Sequence, residues 1–181
     1  MKASNTTIFI TYNPDNALEQ TLASRLHTIG AVNGFRMYMP DRFNSDSQLD
    51  FETTRRINLS NYFILFSFGK LSDMVRQEID MAFAHLQDPS RIIVIYNRRN
   101  GKNIDGKLTN RFTAFNFDPI TEDSSVLSQK IIGVINHRER INLQNQIEKE
   151  QQESQSNQAL AALIGIGLGL FALATLSKSE R

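Results

Sequence analysis

Short apolar runs alternate with longer amphipathic stretches through the first 137 residues of the chain. The runs have the length and the aromatic or β-branched content that are typical of buried strands. They cover residues 8–12, 35–39, 62–67, 91–96 and, more weakly, 112–115. The amphipathic stretches have the length and spacing of helices. They cover residues 17–29, 48–59, 71–86 and 124–136.

This alternation predicts an α/β fold, a doubly wound parallel sheet of five strands of the flavodoxin-like type. The run at 91–96 is almost wholly apolar, as expected for a parallel strand that is buried on both faces. In the first helix Leu18, Leu22 and Leu26 recur every four residues. This spacing predicts that all three pack on the sheet.

The pattern changes after residue 137. Residues 138–158 are rich in Gln and Glu and have only sparse apolar positions, which predicts a polar helical linker or a disordered segment. Residues 159–176 then run without a charge. As a helix they span about 27 Å, close to the roughly 30 Å of a bilayer core. The last residues, 177–181, form only a short tail.

The uncharged segment 159–176 also carries small residues at four-residue spacing, at Ala161, Gly165 and Gly169. Such a face lets helices approach one another closely in lipid. We therefore predict a single-pass C-terminal membrane anchor, with the preceding domain (residues 1–137) in the cytoplasm. The alternative is an apolar helix packed on protein, in which case the whole protein is cytoplasmic.

Composition and motifs exclude several classes of function. The net charge of +1 gives no reason to expect a nucleic-acid-binding surface. The chain has no cysteine, and its three histidines lack the spacing of metal ligands, so we expect neither thiolate chemistry nor a metal site. No G-x-G-x-x-G follows the first strand. Residues 101–108 imitate a phosphate loop, but Leu108 stands where a magnesium-binding hydroxyl is needed.

Polar side chains follow the first three predicted strands, where each strand ends. They are Tyr12 and Asp15, then Asp41, Arg42 and Phe43, then Ser67, Ser72 and Glu78. Because the carboxyl ends of parallel strands share one edge of the sheet, these residues converge on the usual ligand-binding edge. Each also has a structural explanation. Asp15 and Ser72 suit the start of a helix, and Glu78 suits a solvated helix surface.

These features together resemble a TIR domain of the bacterial type, over about residues 6–137. The family's first motif resembles Phe9 to Tyr12 followed by Asp15. Its second, a strand followed by an Asp and the so-called BB loop, resembles residues 35–39 and 41–47. Its third, a series of serines around an apolar strand and then a Glu, resembles Ser60, residues 64–66, Ser67, Ser72 and Glu78.

The resemblance implies an enzyme that cleaves the nicotinamide–ribose bond of NAD, with NAD as substrate and no cofactor or metal. It assigns the catalytic role to Glu78. Tyr12, Arg42 and Phe43 are then expected in the nucleotide pocket, and Ser72 is expected to support the Glu. It also implies self-association through the domain, which the C-terminal helix would reinforce at a membrane. The protein is therefore expected to be a membrane-anchored NAD+ nucleosidase, a bacterial immune or toxin-like effector.

The chain departs from the family pattern at two points, and the first of them, an absent Trp, favours the alternative, a non-catalytic TIR scaffold that self-assembles at a membrane. The family often has Trp four residues before the Glu, where this chain has Met74, and the BB loop here lacks the usual Gly. Without the aromatic residue, base stacking is weakened. Simple hydrolysis is then favoured over cyclisation or base exchange as the reaction of an enzymatic form.

Overall fold

The computed structural model describes residues 6–42, 49–99 and 112–176, and describes side chains as far as residue 152. Helices and strands follow one another in the predicted order. They are β1 (Thr7–Thr11), α1 (Ala17–Val32), β2 (Arg36–Tyr38), α2 (Phe51–Asn58), β3 (Tyr62–Ser67), α3 (Asp73–His85), a 3-10 turn (Pro89–Arg91), β4 (Ile92–Asn97), β5 (Thr113–Phe117) and α4 (Ser124–Leu176).

The five strands form one parallel sheet in the order β2-β1-β3-β4-β5, which confirms the predicted flavodoxin-like fold. The connection from β1 leads outward to β2, whereas the connection from β3 leads the other way to β4. Since such crossovers are right-handed, α1 lies on one face of the sheet and α2 and α3 on the other. The direction reverses between β1 and β3, and this is where doubly wound sheets bind ligands.

The core forms because β1 and β3 have no exposed residue and must be covered on both faces. On the face of α2 and α3, Phe9 and Phe63 stack with ring centroids 5.7 Å apart. Ile57 of α2 and Val75 of α3 belong to the same buried cluster. An apolar layer this continuous holds the strand ends rigidly, and it leaves polar side chains only at the edges of the sheet.

The predicted buried face of α1 was wrong at one position. Leu22 and Leu26 are buried, but Leu18 is 42% exposed, and Glu19 beside it is fully buried. The helix is rotated slightly from the expected orientation because the Glu19 carboxylate is drawn to backbone N–H groups at the strand ends.

The C-terminal part of the chain is helical. The chain divides into two compact units, Met1–Ile132 and Gly133–Arg181, and α4 continues as one helix through the predicted linker and the uncharged segment 159–176. The side chains of that segment lie outside the described residues. Within the described part of the chain, no helix is both long enough and apolar enough to cross a membrane.

The corrected face of α1 gives a matched pair of variants. We expect Leu26→Ala to lower the free energy of unfolding by about 2–5 kcal/mol, because it opens a cavity in the core. Leu18→Ala removes the same atoms from a partly exposed position and should cost less than about 1 kcal/mol. Urea denaturation followed by circular dichroism measures both, and equal losses would contradict the packing described here.

Candidate active site

An open cleft of about 520 Å³ lies at the carboxyl ends of β1 and β3. Asn13, Asp15 and Asn16, from the loop between β1 and α1, line one side. Residues 69–73, from the loop between β3 and α3, line the other. The cleft therefore occupies the point at which the direction of the sheet reverses, the expected place for a ligand in this fold.

Glu78 enters this region from the second turn of α3. Ser72 caps the helix, with its hydroxyl accepting from the Val75 N–H at 3.3 Å. The cap fixes where the helix begins, and hence which residue points toward the sheet. Glu78 has no exposed surface, and one carboxylate oxygen, Oε2, accepts a hydrogen bond from the hydroxyl of Thr11 at the end of β1.

Arg42 covers the Glu78 carboxylate. Its Nη1 lies 3.0 Å from Oε1, and its Nη2 donates to Oε2 at 3.2 Å. Nη2 also donates to the Thr11 hydroxyl at 3.2 Å and to the carbonyl oxygen of Tyr12 at 3.1 Å. The guanidinium lies over the Tyr12 ring, 5.7 Å from its centroid, close enough for a cation–π contact. The cation thus joins β1, α3 and the segment after β2.

The Oε1 atom of Glu78 differs from Oε2 in its partners. Its contact with Nη1 is close, but it lacks hydrogen-bond geometry, so Oε1 has no hydrogen-bond donor among the described residues. We regard the contact as a charge pair. Oε1 is therefore the carboxylate oxygen with hydrogen-bonding capacity to spare, which a donor from a ligand can use.

The segment that carries Arg42 is held by α2. Arg56 donates from Nη1 to the carbonyl oxygen of Met39 at 2.8 Å. The hydroxyl of Thr53 accepts from the backbone N–H of Asp41 at 3.0 Å. These two hydrogen bonds fix the backbone immediately before Arg42, and the Arg42 side chain extends from there to Glu78.

Burial dominates the electrostatics of the carboxyl group. It raises the pKa of Glu78, whereas the Arg42 guanidinium and the Thr11 hydroxyl lower it. Burial likewise raises the pKa of Tyr12, against the lowering effect of Arg42. A carboxylate that is desolvated yet paired with a movable cation is a common feature of functional sites.

The structure brings together three of the residues that the sequence singled out, Tyr12, Arg42 and Glu78. Ser72 lies at the cleft but supports Glu78 only indirectly, through the helix cap. Phe43 lies outside the described residues. Met74, which stands where the family often has Trp, contacts Nη1 of Arg42 through its sulfur.

Sequence reasoning missed a second buried carboxylate, Glu19 of α1. It has no exposed surface, and it accepts hydrogen bonds from the backbone N–H groups of Asn13 and Phe68, each at 2.7 Å. Its position three residues after the helix cap Asn16 is a recognised capping pattern, so a signal was present. That pattern does not indicate that the side chain reaches β3.

The site can therefore stabilise a positive charge at Glu78, and the cleft, which is lined by residues 13, 15, 16 and 69–73 and not by Glu78 itself, can hold a polar ligand. Among the described residues, no group of three His, Asp or Glu side chains is arranged to hold a metal ion. No protein-family model matches the sequence, and a search of curated proteins likewise gave no match.

The raised pKa of Glu78 predicts a pH effect on stability. A carboxyl whose pKa is higher in the folded state binds a proton more readily there than in the unfolded chain. Its contribution to stability is therefore lost as the pH rises from about 4.5 through the folded-state pKa. Glu78→Gln removes this group, so the stability of the variant relative to wild type should increase as the pH rises.

Urea denaturation at about pH 5 and about pH 7.5 measures that difference. The exposed Glu148→Gln in α4 is the control and should leave the pH dependence unchanged. A Glu78→Gln curve parallel to that of wild type would contradict the assignment of a raised pKa.

Proposed function

We propose that the protein is an NAD+ nucleosidase that cleaves the nicotinamide–ribose bond, with Glu78 as the catalytic residue. The observation that carries the proposal is the fully buried Glu78 carboxylate, paired with a guanidinium 3.0 Å away at the end of the sheet where doubly wound folds bind ligands. The choice of NAD as the substrate rests on the resemblance of the motifs at residues 9–15, 35–47 and 60–78 to a TIR domain.

The chemistry requires stabilisation of a positive charge. As the bond to nicotinamide lengthens, the ribose becomes oxocarbenium-like, as a sugar does in glycoside hydrolysis. A carboxylate in a desolvated site stabilises that charge strongly. The Glu78 carboxylate pairs with one cation, Arg42, and can stabilise the positive charge on the ribose in its place once Arg42 has moved aside.

The bond electrons leave with nicotinamide, which departs as a neutral base and so needs no general acid. Water then adds to C1 of the ribose and releases a proton. The products are ADP-ribose and nicotinamide. Hydrolysis is favoured over cyclisation because Met74 offers no ring on which a base can stack.

Substrate can touch Glu78 only when Arg42 moves aside, since the carboxylate has no exposed surface. Arg42 is held there by side-chain contacts and one carbonyl, and its own side chain is 16% exposed. We propose that it exchanges Glu78 for an anionic partner when substrate binds, and we assign it to the diphosphate of NAD. Tyr12 lies beneath the guanidinium and is assigned to the same pocket, together with Phe43.

We propose further that segment 159–176 anchors the protein in a membrane and that the protein self-associates there. The uncharged length of this segment and its small residues at 161, 165 and 169 support both ideas. Confinement to a membrane raises the local concentration of domains and so favours assembly.

A second candidate function is a non-catalytic TIR scaffold at a membrane. Burial of Glu78 beneath Arg42 favours it, because an ion pair of this kind also serves to join β1, α3 and the segment after β2. The two functions differ in a single measurement, the release of nicotinamide.

NAD cleavage is the direct test. We expect membrane-bound or crowded wild-type protein to release nicotinamide, and Glu78→Gln to lower the rate by about a hundredfold or more because the charge that stabilises the oxocarbenium is lost. Asp80→Asn is a matched control. It removes an exposed carboxylate from the same helix and should retain the wild-type rate. Nicotinamide release is followed by chromatography.

If assembled wild-type protein releases no nicotinamide while it still self-associates, the scaffold function replaces the enzymatic one. Equal activity in wild type and Glu78→Gln would instead remove Glu78 from the catalytic role.

The membrane anchor is tested separately by deletion of residues 159–181. We expect the full chain to sediment with membranes and the truncated chain to remain in the supernatant, because the deletion removes the uncharged segment. Full-length protein found in the soluble fraction after cell fractionation would contradict the anchor.

A further inference from the structure

The cleft is bounded by two loops that are separate in sequence, and the side chains of Glu19 and Asn13 connect them. Both side chains are buried, Glu19 completely. Neither has a role in the proposed chemistry, since Glu78 is bonded instead to Thr11 and Arg42.

The two oxygens of the Glu19 carboxylate accept their shortest backbone hydrogen bonds from different loops. Oε2 accepts from the Asn13 backbone N–H at 2.7 Å and from Asn13 Nδ2 at 3.0 Å. Oε1 accepts from the Phe68 backbone N–H at 2.7 Å and from Asn16 Nδ2 at 3.1 Å. The carboxylate therefore spans the gap between the loop after β1 and the loop after β3.

Asn13 adds a second connection between the same loops. Its Nδ2 donates to Glu19, while its Oδ1 accepts from the Ser72 backbone N–H at 2.9 Å. Ser72 is the cap of α3, the helix that carries Glu78. The orientation of Asn13 is thus set by Glu19, and Asn13 in turn holds the start of α3.

All the partners of Glu19 are N–H donors, and no cation pairs with it among the described residues. Burial raises the pKa of Glu19, and the N–H groups of Asn13 and Phe68 oppose that effect. Burying a carboxylate without a paired cation carries a desolvation cost, which the hydrogen bonds from these N–H groups must offset. Such a residue is therefore a candidate for a specific role in the site.

We propose that Glu19 is a positioning residue that holds the two loops of the cleft at the separation the substrate requires. The identity of that substrate as NAD rests on the proposed function. The coupling of the loops does not, because it follows from the hydrogen bonds of Glu19 and Asn13 alone.

Glu19→Gln tests the coupling. An amide presents one NH2 group, which in either orientation faces a backbone N–H. The side chain therefore loses one of its two 2.7 Å backbone hydrogen bonds, the bond to Asn13 or the bond to Phe68. We expect amide hydrogen exchange to accelerate about tenfold or more in both segments 11–16 and 66–72, with the core strand β4 unchanged. The loss of one charge-assisted hydrogen bond corresponds to about tenfold or more.

Glu148→Gln, on the exposed surface of α4, is the matched control and should exchange as wild type does. Acceleration in only one of the two segments, or no acceleration, would overturn the proposal. A uniform acceleration that includes β4 would also overturn it, since that result indicates a general loss of stability.

A double variant tests whether the effect comes from the hydrogen bond between residues 13 and 19 or from altered packing of their side chains. Asn13→Asp alone sets two carboxylates against each other and should loosen both loops. Combined with Glu19→Gln, it restores one donor and one acceptor between the two side chains. The double variant should therefore exchange more slowly than Asn13→Asp alone, and additive effects of the two changes would contradict the coupling.

With NAD as the probe, Glu19→Gln should raise KM about tenfold and leave kcat within about twofold, because the Glu19 side chain is bonded to Asn13, Asn16 and Phe68 and not to Glu78 or Arg42. A fall in kcat with KM unchanged would overturn the positioning role. If wild type cleaves no NAD, the proposed function fails, and the exchange measurements still decide the coupling of the loops.

Discussion

Two buried carboxylates at the end of an apolar sheet need partners for their negative charge, and this need governs the structure of the site. Strands β1 and β3 are buried along their whole length, and all the side chains between their first and last residues are apolar. Glu19 and Glu78 arrive there from helices on opposite faces, and neither has any exposed surface. Both bind to the same short run of chain, Thr11 to Asn13, which is therefore fixed from both sides.

The two carboxylates are compensated in different ways, and the difference separates their roles. Glu19 is bonded to backbone N–H groups, which move only if the loops themselves move. Glu78 is paired with Arg42, a side chain whose guanidinium also bonds Thr11 and the carbonyl oxygen of Tyr12. Backbone donors fit the positioning role proposed for Glu19. A side-chain cation fits the role proposed for Glu78, in which a charged substrate replaces Arg42.

The hydrophobic pattern predicted the fold because strand-length apolar runs alternate with helix-length amphipathic stretches, which favours a doubly wound parallel sheet. Parallel strands also force their carboxyl ends to one edge, so the meeting of Tyr12, Arg42 and Glu78 followed from the order of the strands. The role of Glu19 did not follow. Its capping position is a local pattern, but its bond to Phe68 spans 49 residues and depends on the tertiary placement of α1.

Met74, which stands where the family often has Trp, contacts the same guanidinium that pairs with Glu78. It lies one helical turn before Glu78, and residues at this spacing share a face of the helix. Its sulfur contacts the guanidinium that also covers Glu78. The residue at this position therefore acts on Glu78 through Arg42. A flexible thioether holds a cation less firmly than the face of an aromatic ring. In this chain Arg42 is consequently held mainly by Glu78 and the end of β1, so a ligand that draws Arg42 away exposes the carboxylate in the same movement.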